Sequence, residues 1–227
     1  MKKSAIVVMG LGYVGLPTAA VFASRRIQVL GVDVNQQAVD IINQGNIHIV
    51  EPSLDIVVRA AVTEGYLRAA TRPAPAEAFL IAVPTPFKDG KIPNLAYVEA
   101  ATRAIAPALR AGNLVVLEST SPVGTTELVS QWLAEERPDL TFPHAAGEDS
   151  DIRIAHCPVR VLPGQVIREL VENDRVIGGM TPRCSEAARK LYKQVVQGDC
   201  ITTTARTAEM AKLTENSFRD VNIAFAN

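Results

Sequence analysis

Behind a short apolar run at positions 5–9, the chain reads Gly10-Leu11-Gly12-Tyr13-Val14-Gly15 and continues as an apolar, helix-like stretch. No other feature restricts the fold as tightly. Three glycines at this spacing suit a strand that turns sharply into a helix. Gly10 permits the tight turn, Gly12 lets backbone approach a pyrophosphate, and Gly15 lets the helix pack close on the strand. The helix start then offers free N–H donors and a partial positive charge to phosphates. The turn gains weight from Asp33, 23 residues after Gly10 at the end of a second apolar run. An acid there can accept hydrogen bonds from adenosine ribose hydroxyls. Its charge repels a 2′-phosphate, and Asn35, Gln36 and Gln37 bring no compensating arginine, so NAD is expected in preference to NADP.

Residues 4–24 carry no charge and are flanked by Lys2-Lys3 and Arg25-Arg26, the outline of a signal peptide or a short span. The three glycines and Pro17 break that run into strand, turn and helix, which neither a signal nor a span requires. Membrane insertion and secretion are therefore not expected. Lys and Arg number 23 against 24 Asp and Glu, a balance that suggests no nucleic-acid groove and no polybasic membrane surface. The 48% hydrophobic content excludes disorder. Cys157, Cys184 and Cys200 form no CxxC and are odd in number. A disulfide framework or metal site is not expected, buried structural roles are expected for all three, and a reducing cytoplasm fits.

Past the turn, apolar runs and amphipathic stretches alternate. Strands are expected at residues 5–9, 28–33, 67–70, 79–83, 114–118, 153–156, 175–177 and 200–203. Helices are expected at 13–24, 36–43, 54–64, 97–109 with an interruption near Pro107, 126–135 and 185–196, and residues 84–93 read as a Pro-rich loop. The fold class is α/β: a Rossmann-like, doubly wound, mostly parallel sheet. Residues 204–227 hold neither Gly nor Pro and place Met210, Leu213, Ser217, Val221 and Ala224 at helical spacing, a helix ~35 Å long. With no stop signal, it reads as a helix ending at a boundary the sequence did not choose. The expected division is an NAD-binding domain at 1–203 and a helix start at 204–227.

Two later loops, Val83-Pro84-Thr85-Pro86 and residues 118–126, follow expected strands at the edge where α/β ligands bind. Their hydroxyls suit a nicotinamide, a phosphate or a water, and equally suit ordinary turns and helix caps. Lys212, Asn216 and Arg219 share one helix face at i, i+4, i+7. That face suits an anionic, hydroxyl-rich ligand. It also suits a solvated surface with Glu209 and Glu215 as ion-pair partners.

The blocks GLGYVGLPTAAVFAS, GVDVN, IHIVEP, IAVPTPF, ESTSPVGTTE, RVLPGQ, DRVIGGMTP and KLTENSFRDVNIAFAN run in order along the whole chain. In these blocks the chain resembles the nucleotide-sugar 6-dehydrogenases, which include the UDP-glucose dehydrogenases. RVLPGQ and ENSFRDVN are closer to the branch acting on an N-acetylmannosamine nucleotide. The resemblance implies oxidation of a UDP-sugar C6 alcohol to a carboxylate with two NAD reduced and one water consumed. It also implies a homodimer in the full-length form and a role in surface polysaccharide synthesis, such as enterobacterial common antigen. Residues 204–227 then match the start of a central, dimerising helix, with a C-terminal substrate domain absent. It assigns NAD contacts to Tyr13, Val14, Asp33, Thr85 and Thr126, and substrate contacts to Arg160, Val161, Asn216 and Arg219. Lys212 matches the catalytic lysine, and Thr120 a threonine that helps place the hydrolytic water. A β-hydroxyacid or 6-phosphogluconate-type dehydrogenase would share the turn but not KLTENSFRDVN. A non-catalytic NAD-binding or oligomerisation module is a further alternative.

Two departures from the family pattern stand out. The nucleophilic cysteine of the family belongs to the C-terminal domain, so these residues are expected to lack activity alone. Pro158 is followed by Val159 where the family has glutamate, and valine can neither take a proton nor hold a water. Slow hydrolysis is therefore expected, and Val159→Glu in a full-length form should raise turnover; an unchanged rate would refute this.

Overall fold

A computed structural model describes residues 5–162 and 164–227. Lys2, Lys3 and Ser4 of the N-terminal run, and Pro163 of the RVLPGQ block, lie outside the described residues. The first half of the chain forms β1 (Ile6–Met9), α1 (Gly15–Ser24), β2 (Val29–Val32), α2 (Gln36–Asn43), α3 (Leu54–Thr63) and β3 (Leu67–Ala70). Then come β4 (Ala78–Ile81), a small hairpin of β5 (Phe87–Lys88) and β6 (Ile92–Pro93), and α4 (Ala96–Ile105). The rest comprises β7 (Leu114–Leu117), α5 (Thr125–Glu136), α6 (Pro143–Ala146), β8 (Arg153–His156) and α7 (Val166–Glu172). It ends with β9 (Arg175–Gly179), α8 (Pro182–Tyr192), β10 (Cys200–Thr204) and α9 (Ala205–Ala226).

Eight strands form one sheet in the order β10-β9-β8-β7-β4-β1-β2-β3, parallel except where β9 meets β8. The chain winds from β1 outward through β2 and β3, then returns to start the other half at β4. The carboxyl ends of β1 and β4 therefore flank the reversal point where open α/β sheets bind ligands. Alternate strand residues feed two cores. Ile6, Val8, Leu80 and Val116 face α1, α3, α7 and α8, while Val7, Phe79, Ile81 and Val115 face α4 and α5. Strands buried on both faces explain the unbroken apolar runs in the sequence.

The reversal at β9 steers the last helix. Because β9 and β10 run against β8, α9 turns back from Thr204 across β9 toward the carboxyl ends of β7 and β8. It can lie that close only because Gly178 has no side chain: a Cβ there would come within 2.6 Å of the Ala208 Cβ. Ala205, Ala208 and Glu209 are its buried residues. The periodic apolar stripe of α9 lies open, with Met210 and Val221 exposed. Small residues, rather than large apolar ones, dock this helix. The hairpin β5–β6 and helices α6 and α7 also occur where no element was expected; two-residue strands and helices of one or two turns carry too little periodicity to be read.

Two buried titratable groups sit at the strand ends. Glu118 follows β7, accepts a 2.6 Å hydrogen bond from Tyr192 Oη, and is pushed up to about 6 by burial. His156 ends β8, fully buried, and neither ring nitrogen has a partner among the described residues. Burial pushes its imidazole down to about 3.

The two groups act on stability with opposite signs. His156, neutral in the fold, contributes stability that is complete above its ordinary value of 6.5 and lost as pH falls toward 3. Glu118 contributes below 4.5 and loses that contribution as pH rises through 6. The imidazole shift is the larger, so acid destabilises the fold by a few kcal/mol, at about 1.4 kcal/mol per pK unit. His156→Phe leaves the opposing Glu118 contribution alone and is expected to turn the shallow fall of the urea midpoint between pH 6.5 and 4.5 into a rise; a slope equal to that of the unaltered protein would contradict this account.

Candidate functional site

The glycine turn lies at the carboxyl end of β1. Gly10 takes a positive φ of 89°, and a Cβ there would press within 2.8 Å of the Ala82 carbonyl oxygen. A Cβ on Gly15 would overlap the Gly10 carbonyl, so the first turn of α1 rests directly on the strand end. Leu11 is fully buried against Gly31, whose missing Cβ would lie 2.7 Å from its Cδ2. The Leu11 N–H donates to Asp33 Oδ2 and the Asn35 N–H to Oδ1, both at 2.9 Å. Asp33 is thus oriented by the turn it faces, and each oxygen keeps a lone pair for a hydroxyl donor. Nothing within 4 Å would meet a Cβ on Gly12, no side chain caps α1, and no acid occupies its first turn. Tyr13 is 56% exposed beside this open space, with Val14 half-buried at the N-cap. A dinucleotide fits these residues: open backbone for the pyrophosphate and an aligned acid for the ribose.

The hydroxyls at the ends of β4 and β7 are mostly committed internally. Thr85 Oγ1 donates to the Thr120 carbonyl at 2.7 Å, Ser119 Oγ to that of Val83 at 2.7 Å, and Thr125 Oγ1 to that of Pro122 at 2.7 Å. Thr85 and Thr120 are half-buried and remain reachable. Thr126 is not: it is fully buried and its hydroxyl donates to Glu209 Oε1 at 2.6 Å. Its side chain offers no surface to a cofactor in this structure.

A second region lies between the loop after β8 and the middle of α9, around a cavity of about 440 Å³. Arg160, Val161, Lys212 and Arg219 all line it. Glu215 joins the cations: its Oε1 accepts from Arg160 Nε at 2.8 Å and its Oε2 from Lys212 Nζ at 3.2 Å. Burial pushes the Glu215 carboxyl up, but Arg160 and Lys212 together outweigh it and hold the group below the ordinary carboxylate range. Asn216 meets the group through Arg219, whose Nη2 donates to its Oδ1 at 3.2 Å. The loop itself is held by two more acids. Leu162 N donates to Glu169 Oε2 at 2.6 Å. Glu51, 4% exposed, accepts from Gly164 N and Val166 N, each at 2.9 Å. Val159 is 7% exposed and belongs to the apolar core beside α7.

Sequence reading missed the roles of Glu51, Glu169 and Glu209: Glu209 reads in the sequence only as a surface ion-pair partner, and the groups all three hold are mainly backbone N–H groups of other segments. Of the paired surface acids expected on α9, Glu215 does pair with Lys212, whereas Glu209 is 1% exposed and bonds to α5 instead. Cys157 is fully buried and burial pushes its thiol up to about 12. Cys184 is buried and accepts from Ile154 N at 3.3 Å. Cys200, expected to be buried, is only half-buried because β10 is the sheet edge, and burial still raises its thiol. Among the described residues there is no metal-binding cluster and no helix long and apolar enough to cross a membrane.

The model of the UDP-glucose/GDP-mannose dehydrogenase family, NAD-binding domain, matches residues 4–196. The chain is 72% identical over 222 residues to an NDP-N-acetyl-D-galactosaminuronic acid dehydrogenase of Ralstonia nicotianae, covering 98% of this chain and 52% of that protein. It is 70% identical over 223 residues to a UDP-N-acetyl-D-mannosamine dehydrogenase of Campylobacter jejuni, covering 98% and 55%. It is similar to the solved structure of a UDP-D-ManNAc dehydrogenase from Pyrococcus horikoshii, with a TM-score of 0.91 and 42% identity over 97% of this chain and 52% of that one. The chain thus spans about half the length of the curated relatives it matches.

The two glycines of the turn should separate folding from binding. Gly12→Ala places a methyl in open space and is expected to leave the melting temperature unchanged while weakening NADH binding at least tenfold by fluorescence titration. Gly15→Ala drives a methyl into the Gly10 carbonyl and is expected to cost more than about 2 kcal/mol of stability. Equal effects of the two on melting would contradict this division.

Proposed function

The chain belongs to the UDP-glucose/GDP-mannose dehydrogenase family, whose NAD-binding domain it carries, and on that premise we propose that it serves the oxidation of UDP-N-acetyl-D-mannosamine to UDP-N-acetyl-D-mannosaminuronate. The C6 alcohol and one water become a carboxylate, with two NAD reduced and protons released. NAD, when bound, supplies the hydride acceptor for each oxidation. The proposal divides the chain into a cofactor domain at 1–203 and the opening of a connecting helix at 204–227. It places the protein in the cytoplasm as part of a homodimer.

The cavity shared by Arg160, Lys212 and Arg219 carries this reading. Three cations line it with three acids, Glu169, Asp174 and Glu215. Glu215 bridges Arg160 and Lys212, and Glu169 accepts from the Leu162 N–H. Arg219 bonds only to the neutral Asn216 among the described residues and is the cation best placed to meet a phosphate. In the proposal Arg160 and Arg219 receive the anionic part of the substrate, with Val161 against its apolar surface and Asn216 on a hydroxyl. The Lys212 ammonium steadies negative charge developing on the C6 oxygen. Its side chain is only 11% exposed, and removal from water strengthens that interaction. Thr120 holds the hydrolytic water. Asp33, Tyr13 and Val14 receive the adenosine side of NAD, and Thr85 approaches its nicotinamide side. The position before Arg160 is an apolar valine, so no side chain there can take a proton from that water, and none of the three cysteines is fully exposed.

The 72% identity to an NDP-N-acetyl-D-galactosaminuronic acid dehydrogenase favours a second reading, in which the sugar is the galactosamine epimer. Calorimetry on the 227-residue chain distinguishes the two. UDP-N-acetylmannosamine is expected to bind at least tenfold more tightly than UDP-N-acetylgalactosamine or UDP-glucose, and NAD to bind without sustained production of NADH. Lys212→Ala should weaken the sugar nucleotide and leave NADH affinity within twofold. Preference for the galactosamine epimer would establish the second reading, and failure to bind any of the three would overturn both.

A further inference from the structure

Glu209 is the least exposed acid on α9, at 1%, and it forms no ion pair among the described residues. Its oxygens turn instead to the start of α5. Oε2 accepts from the Gly124 N–H at 2.6 Å, and Oε1 accepts from the Thr126 N–H at 2.7 Å and the Thr126 hydroxyl at 2.6 Å. Gly124, the N-cap, has a φ of 99° and no side chain with which to cap the helix itself. The carboxylate supplies that cap from 85 residues away, where the helix dipole also favours negative charge.

A serine or aspartate caps a helix from extended backbone, which the φ of 99° at Gly124 does not provide, so the cap for α5 has to come from another segment. Burying an acid is costly unless it is hydrogen-bonded, and Glu209 keeps its three bonds only while α9 holds this depth and rotation. What the long-range contact adds is a fixed axial and rotational setting of α9. Lys212 follows Glu209 by three residues, about 4.5 Å along the helix, on an adjoining face. The segment that Glu209 grips continues back through Pro122 and Ser121 to Thr120, whose carbonyl holds Thr85. A second tie, Arg206 donating from Nε and Nη2 to the two oxygens of Glu127 at 2.8 Å each, joins the same two helices on the exposed side. Exposed pairs of this kind contribute little, which leaves Glu209 as the main polar tie between α9 and the start of α5, beside the docking of Ala205 and Ala208 on β9.

We propose that Glu209 is a positioning residue: its clasp on the Gly124–Thr126 backbone sets Lys212 relative to the cofactor-side loop at Thr85 and Thr120. Thr126 is then part of the clasp, and its hydroxyl acts on Glu209. The inference rests on the reading of Lys212 as a sugar-nucleotide residue and of the β1–β4 crevice as the NAD site.

The test uses Glu209→Gln, which replaces one accepting oxygen by an amide that cannot accept, in the 227-residue chain with its lysines reductively methylated with 13C. Circular dichroism confirms folding. The Lys212 methyl resonance, assigned with Lys212→Arg, is then titrated with pH without ligand, and affinities for NADH and UDP-N-acetylmannosamine are measured. The Lys212 resonance and its titration midpoint are expected to shift. Sugar-nucleotide affinity should fall at least tenfold with NADH affinity within twofold. Thr126→Val, which removes one donor of three, should move the same resonance in the same direction by less, and it decides the matter if Glu209→Gln unfolds. A folded variant with an unmoved Lys212 resonance overturns the proposal. If the unaltered chain binds no sugar nucleotide, the functional reading fails, while the ligand-free titration still judges the clasp.

Discussion

The contact between Gly15 and the Gly10 carbonyl is the constraint from which the rest of the site follows. A helix can begin on the end of β1 only if no Cβ stands between them, and there is none. The short approach aims the uncapped start of α1 into the crevice where the sheet reverses direction. It also directs Leu11 down onto Gly31, so that its N–H meets Asp33. One side chain thereby plugs the core while its backbone orients the acid. The cofactor crevice is consequently built largely from backbone, with side chains needed at few positions.

Beyond that crevice, carboxylates holding backbone N–H groups do the organising. Asp33 holds the glycine turn, Glu51 and Glu169 hold the loop that carries Arg160, and Glu209 holds the start of α5. Each joins segments that secondary structure leaves free at the carboxyl edge of the sheet. Charge-assisted bonds of this type are stronger than neutral ones, and several lie where water is excluded. The cations of the site are therefore carried on braced elements, although Arg160 and Arg219 themselves reach solvent.

Much of this was legible in the residues. The alternation of apolar runs and helical stretches located all eight strands of the sheet, most plainly the central ones, which are buried on both faces and continuous in composition. The glycine spacing and Asp33 located the cofactor crevice, since each glycine answers a local steric demand. Lys212 and Arg219 were legible as a shared face from helical spacing alone, and the structure adds Arg160 and Glu215 to them. The acids were not legible. A glutamate that caps a helix 85 residues away has the same local signature as one in solvent. The docking face of α9 was not legible either: Gly178 lets the helix dock through two alanines, a preference visible only when strand and helix face each other.

The sequence by itself determined the class of fold, the place of the dinucleotide turn and the identity of the charged residues on α9, because periodicity and backbone sterics are local. Only the tertiary structure decided which acids are buried, that Thr126 faces Glu209, and that Lys212 meets Arg160 through Glu215. Those outcomes depend on the reversal of β9 against β8, which carries α9 back to the carboxyl edge. Strand direction is set by how whole layers pack, and no short stretch of residues encodes it.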